Sequence, residues 1–184
     1  LVGQSPGSIT QTYATGTVTG EIDVGGLVGA SRGTITQSHA SGNINGSNSD
    51  VGGLVGSNTG SISQSYAIGN VSGDYRSGGL VGFLSVGRVS HSYATGNGVG
   101  SDNVGGLVGA YGLFGGSIDQ SYATGSVSGA SNVGGLVGNN YARASVTHSL
   151  YATTDASGAP INNSGSTTGD GGKWTGNSHG TGKT

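Results

Sequence analysis

Val24-Gly25-Gly26-Leu27-Val28-Gly29, followed by Gly33-Thr34-Ile35-Thr36-Gln37-Ser38-His39-Ala40 and then Gly42-Asn43-Ile44, is one unit of a pattern that runs through most of the chain. Gly-Gly-Leu-Val-Gly occurs five times, and a truncated Leu-Val-Gly opens the sequence. Its leucines are Leu1, Leu27, Leu54, Leu80, Leu107 and Leu136, separated by 26, 27, 26, 27 and 29 residues. A period in this range marks a solenoid, a propeller or a similar array.

Aligned on that block, the columns repeat by chemical type. One holds Ile9, Ile35, Ile62, Val89, Ile118 and Val146, and another Tyr13, His39, Tyr66, Tyr93, Tyr122 and Leu150. Thr12, Ser38, Ser65, Ser92, Ser121 and Ser149 run beside the second. Gln11, Gln37, Gln64 and Gln120 share a column with His91 and His148. Val18, Ile44, Val71, Val99 and Val127 form another, with one residue inserted before Val99. Each unit holds three short strand-like pieces, Leu-Val, Ile-x-Gln-Ser-Tyr-Ala and x-Val-x. They are too short for helices and are punctuated by glycine, which supplies positive φ at turns. Three short strands per turn describe a coil of a parallel β-helix, with successive coils paired at about 4.8 Å. The expected fold is therefore all-β: a β-solenoid, specifically a right-handed parallel β-helix of about six coils. Ile, Leu and Val fill its narrow interior, while Ser, Thr and Gln columns hydrogen-bond along the stack. The alternation Ile-x-Gln-x-Tyr would set Gln on the face of Ile and Tyr, a conflict that a corner near Gln relieves. The expected division is 1–154 as repeats and 155–184 as a Gly/Ser/Thr-rich tail, linker or cap.

Composition narrows the function. Charged residues are 8% of the 184 and the net charge is −2, which argues against a nucleic-acid binder needing a basic stripe. No cysteine is present, hence no disulfide framework or thiolate metal site. No apolar run reaches the length of a membrane-spanning helix. Because Leu1 falls inside a repeat block, the chain is expected to be a segment of a longer protein.

Gly26-Leu27-Val28-Gly29 and its counterparts, with the Ser92–Asn97 run, resemble the GLUG motif repeat. Ser149-Leu150-Tyr151-Ala152-Thr153-Thr154-Asp155-Ala156-Ser157-Gly158 is similar to the terminator of such arrays. GLUG repeats occur in large bacterial surface and secreted proteins, filamentous-haemagglutinin-like adhesins among them. The resemblance implies an extracellular location and a structural stalk or filament role. It implies neighbouring repeats, or other copies stacked end to end, as partners. The motif residues look architectural and imply no ligand.

Candidate chemistry is sparse. Gly180-Thr181-Gly182-Lys183-Thr184 lacks the leading glycine of a phosphate-binding loop, because Asn177 stands there. The four histidines have no paired ligand spacing, and the aspartates form no calcium loop. No catalytic grouping emerges, so the chain is expected not to be an enzyme and to need no cofactor or metal. One departure from the repeat does suggest a contact surface. The loop after Gly-Gly-Leu-Val-Gly carries Phe83 and Leu84 in the fourth unit, Tyr111, Leu113 and Phe114 in the fifth, and Tyr141 and Arg143 in the sixth. Equivalent solenoid loops emerge on one side, so these residues either converge on a patch for a glycan or a host surface protein or, as most apolar clusters do, fold back to cover one another or pack on another part of a longer protein.

Overall fold

The computed structural model describes residues 2–140, 144–152, 163–164 and 181–183. It is an all-β, parallel β-solenoid of about five turns. The strands form four faces rather than three. Face 1 stacks Val2–Ser5, Val28–Ser31, Val55–Asn58, Val81–Leu84, Val108–Tyr111 and Val137–Asn140. Face 2 stacks Ile9–Thr10, Thr34–Thr36, Ser61–Ser63, Arg88–Ser90, Ser117–Asp119 and Ser145–Thr147. Face 3 stacks Tyr13–Ala14, His39–Ala40, Tyr66–Ala67, Tyr93–Ala94, Tyr122–Ala123 and Leu150–Ala152, and Thr181–Lys183 pairs beyond them. Face 4 begins with two long strands, Val18–Gly25 and Ile44–Gly52. In later coils it splits into pairs such as Val71–Ser72 and Tyr75–Gly78, and Asn163–Ser164 pairs beyond Val127–Ser128.

The fourth face arises because Ile-x-Gln-Ser-Tyr-Ala is two strands, not one. Gln11, Gln37, Gln64, His91, Gln120 and His148 sit at left-handed φ of 46° to 51°, and that turn separates face 2 from face 3. It swings Gln and His outside, leaving Ile inside and Tyr outside. The serine that follows turns inward and satisfies the corner's backbone. The Ser38 amide donates to the Ser65 hydroxyl at 3.1 Å, and that hydroxyl donates to the Ser63 carbonyl at 2.8 Å. The same pair of bonds recurs through Ser92, Ser121 and Ser149. Of the polar columns expected to hydrogen-bond along the stack, it is serine that carries this inner ladder. A second, outer ladder marks the next corner: the Asn70, Asn97 and Ser126 amides donate to the side-chain carbonyls of Asn43, Asn70 and Asn97.

Glycine shapes the interior by leaving space. Among the described glycines only Gly115 has positive φ, so turn conformation does not account for Gly-Gly-Leu-Val-Gly. A Cβ on Gly82 would fall 2.5 Å from the Val51 nitrogen, 2.6 Å from the Asp50 carbonyl carbon and 2.7 Å from the Gly56 oxygen. Face 1 thus rests directly on the backbone of face 4. Three positions earlier in the motif, a Cβ on Gly26, Gly53, Gly79 or Gly106 would come within 2.7–2.9 Å of the Cβ of Ala40, Ala67, Ala94 or Ala123. This pinch divides the interior. One side holds the stacked Leu27, Leu54, Leu80, Leu107 and Leu136 with the Ile column. The other holds valines and Ile44 beneath face 4. In the last coil Tyr151 replaces the alanine and packs against the larger core.

One column differs from its sequence alignment. Gly98, not Val99, pairs with Val71 and Val127, and Val99 is 52% exposed. Gly98 follows directly on the Asn97 corner, whose ladder fixes the register, so the extra residue is taken up later in the strand.

Two substitutions test this construction. Gly82→Ala forces a Cβ against backbone atoms on three sides and is expected to destabilise by about 3 kcal/mol or more, whereas Gly16→Ala, which meets nothing within 4 Å, leaves the thermal midpoint nearly unchanged. Ser65→Ala strands the buried Ser38 amide and is expected to cost about 1–3 kcal/mol in chemical denaturation.

Candidate functional surface

With the interior filled, chemistry is confined to the outer columns, the corners and the loops. Phe83 points out of face 1, half-buried, with the Arg76 guanidinium 4.2 Å from its ring centroid. Arg76 also lies over Tyr75 at 5.2 Å, places Nε 2.6 Å from Asp50 Oδ1 and donates from Nη2 to Ser49 Oγ at 2.9 Å. Arg76 occupies a left-handed corner, φ 55°, shared with Asp23, Asp50, Asn103 and Asn132. Asp and Asn tolerate that region better than arginine does. Its ion pair and aromatic contacts compensate for the misfit.

The expected convergent patch is not formed by all of its candidates. Leu84 and Tyr111 have no exposed surface and belong to the larger core, so neither can touch a partner directly. Simple alternation along the strand misleads here, because Val81 and Leu84, three residues apart, both reach the interior. Tyr111 fills the same interior column as Asn58, Leu84 and Asn140. The two asparagines use it to hold their loops: Asn58 bridges Gly60, and Asn140 bridges Ala144. The Tyr111 hydroxyl is buried without a hydrogen-bond partner, and burial raises its pKa well above the ordinary phenol value. Leu113 and Phe114 stand out from the following loop, 76% and 84% exposed. Tyr141 and Arg143 lie outside the described residues.

A feature the alignment contained but did not single out is the outer column of face 3. Tyr13, His39, Tyr66, Tyr93 and Tyr122 stack ring on ring, with centroids 5.4, 4.6, 4.8 and 4.9 Å apart and planes within 11°. The spacing is that of the strands themselves. The signal was the recurrence of one aromatic column at the repeat period.

Two carboxylates have opposed environments. Desolvation raises the Asp50 pKa despite the Ser49 hydrogen bond and Arg76, and Asp23 adds to the rise. Hydrogen bonds from Thr147 and His148 lower that of Asp119, helped by Arg88. Thr147 and His148 both address the same Asp119 oxygen, which is not the relay of a nucleophile through a base to an acid. Among the described residues, no group of three or more His, Asp or Glu could hold a metal ion, and no helix is long and apolar enough to cross a membrane.

Residues 20–45, 47–72 and 100–128 match the family model of the GLUG motif, and the chain carries a GLUG repeat region. No curated protein and no solved structure matches it.

The two carboxylates predict opposite pH effects. Folded Asp50 holds its proton more tightly than the unfolded chain does, so its contribution is greatest when protonated and is lost as pH rises through its raised pKa. Asp119 contributes above the ordinary carboxylate range, and that contribution is lost as pH falls through its lowered pKa. Across the acid range, Asp50→Asn should make the slope of stability against pH more positive and Asp119→Asn more negative. Urea unfolding at stepped pH reads both.

Proposed function

Taking the chain as a GLUG repeat region, we propose that it is a rigid spacer, the stalk or filament segment of an extracellular bacterial adhesin-like protein, and that it works without catalysis. The observation that supports this best is the in-register stack on all four faces. Each coil binds the next through four parallel ladders and through continuous interior columns. Such an array resists bending and extension because no coil moves without breaking pairings on several sides at once. Its length is set by coil number, at about 4.8 Å per coil. The partners that suit this role are neighbouring repeats of a longer chain, or other copies stacked end to end.

Leu113 and Phe114 favour a second reading, a contact point for a glycan or a host surface protein. Large apolar side chains so exposed, side by side at a loop tip, are the usual chemistry of a docking spot.

Deleting residues 107–135 removes one coil together with that loop and joins Gly106 to Leu136. A spacer keeps its β-sheet circular dichroism and shortens by about 4.8 Å in small-angle scattering. Loss of the fold would overturn the modular reading. For the second reading, saturable binding on a glycan array or to host surface proteins should be abolished by Phe114→Ala with the melting temperature unchanged. Binding that survives Phe114→Ala sinks that reading.

A further inference from the structure

The aromatic column of face 3 has a chemistry that spacing alone does not require. Tyr66 and Tyr93 stack at 4.8 Å with planes 2° apart, and Tyr93 and Tyr122 at 4.9 Å and 5°. Backbone pairing holds them there, Tyr66 against Tyr93 and Tyr93 against Tyr122, each followed by a paired alanine. The rings shield one another's faces, which makes the column a poor platform for a sugar ring. It leaves like carbons of adjacent phenols facing each other across one strand spacing. Tyr122 is 42% exposed, and Tyr66 and Tyr93 are half-buried, so the column is open to a small oxidant.

We propose that Tyr66, Tyr93 and Tyr122 form an oxidative coupling site, at which a one-electron oxidant joins neighbouring rings as dityrosine and fastens adjacent coils covalently. Each of two phenols gives one electron to the oxidant and its hydroxyl proton to water. The two phenoxyl radicals carry spin on the carbons ortho to oxygen, and a carbon–carbon bond forms between one such carbon on each ring. The hydrogen on each bonded carbon then moves to oxygen, restoring two phenols. The sum is loss of two electrons and two protons. Hydrogen peroxide acting through a haem peroxidase accepts both and leaves as two waters. The rings close the remaining gap by rotating about their side-chain torsions. Burial and the neighbouring phenols Tyr122 and Tyr66 keep the Tyr93 hydroxyl above its usual pKa, so it reacts from the neutral form, losing its proton with its electron.

His39 sets the limit of the site. It stacks between Tyr13 and Tyr66 at 5.4 and 4.6 Å, but an imidazole forms no dityrosine, so Tyr13 is left two coils from its nearest tyrosine in the column. The oxidant's availability in life rests on the extracellular reading above, whereas the coupling chemistry does not. Failure of the coupling therefore leaves the spacer reading intact, and failure of the coil deletion leaves the coupling intact.

The test treats the dilute, purified chain with hydrogen peroxide and a haem peroxidase. The expected result is dityrosine fluorescence from a species that still migrates as a monomer. A tryptic pair should join residues 33–76 to 89–143, lighter by two hydrogens, with fragmentation placing the bond at Tyr66 and Tyr93. Tyr93→Phe keeps the ring stack but parts the two remaining phenols by two coils, and the fluorescence should fall to that of the triple Phe variant at Tyr66, Tyr93 and Tyr122. Tyr75→Phe should change nothing. His39→Tyr should recruit Tyr13, linking residues 1–32 to 33–76. Coupling that persists in Tyr93→Phe, that occurs only between chains, or that is absent where free tyrosine couples would overturn the proposal.

Discussion

The rest of this structure depends on the absence of side chains where face 1 lies against face 4. At Gly29, Gly56, Gly82, Gly109 and Gly138 the space of a Cβ is occupied by backbone atoms of the opposing strand or of the adjacent coil. Two parallel sheets normally pack about 10 Å apart, with side chains between them. Here main chain meets main chain, and the coil is flattened on that side. The neighbouring pinch of Gly26 and its counterparts against the alanine column has the same origin. Once the cross-section is this narrow, a leucine, a valine, an isoleucine or second valine, and an alanine from each coil nearly fill the larger compartment, with Leu84 and Tyr111 added in two coils. Among the described residues, Asn58 and Asn140 satisfy their buried side chains through their own loops, and the Tyr111 hydroxyl is left without a partner.

A narrow coil must turn sharply several times, and every sharp turn exposes backbone groups that its own strands cannot pair. The chain meets this with side chains that hydrogen-bond between coils. Serine does so inside the corner between faces 2 and 3, and asparagine outside the corner between faces 3 and 4. Burying an amide without a partner costs more than most single contacts return, which makes these polar columns as important as the leucine column. The left-handed residues at the corners are Gln, His, Asp, Asn and one Arg. The Gln and His side chains stand at the surface and reach water, whereas Asp50 and Asn103 are buried and rely on neighbours, Ser49 and Arg76 for the one and Asp102 for the other.

The period, the columns and their stacking were legible in the sequence, because identical residues one coil apart can only repeat if they meet. The reason for the glycines was not. A glycine needed for positive φ and a glycine needed for close approach are written with the same letter, and here the positive φ belongs to Gln37 and Asp50 while Gly82 provides close approach. The inward turn of Leu84 and Tyr111 was hidden for a related reason: the period-two rule assumes a regular strand, and face 1 departs from it next to its glycine. Val99 was misplaced because an inserted residue can be absorbed on either side of it, and only the Asn70–Asn97 hydrogen bond decides which. Exposure of Leu113 and Phe114 was readable, since a longer loop with its own Gly115 at φ 81° has no column to join.

Stability in such an array is a sum of terms between neighbouring coils, so a weak interface anywhere limits the whole. The interior columns are nearly uniform and cannot be strengthened without overfilling a cross-section already closed by backbone contact. Any reinforcement must therefore come from outside. Two of the outer devices differ in reach. The Asp50–Arg76 pair with Phe83 joins two neighbouring strands of face 4 and one strand of face 1 at one place, and its gain is reduced by the desolvation that raises the Asp50 pKa. The aromatic column joins five coils in a line without burying a charge. Stacked rings contribute about 0.5–1.5 kcal/mol per pair beyond the area they bury. A column of this kind adds cohesion between coils without altering the space inside them. It is also where a covalent bond between coils would disturb the fold least.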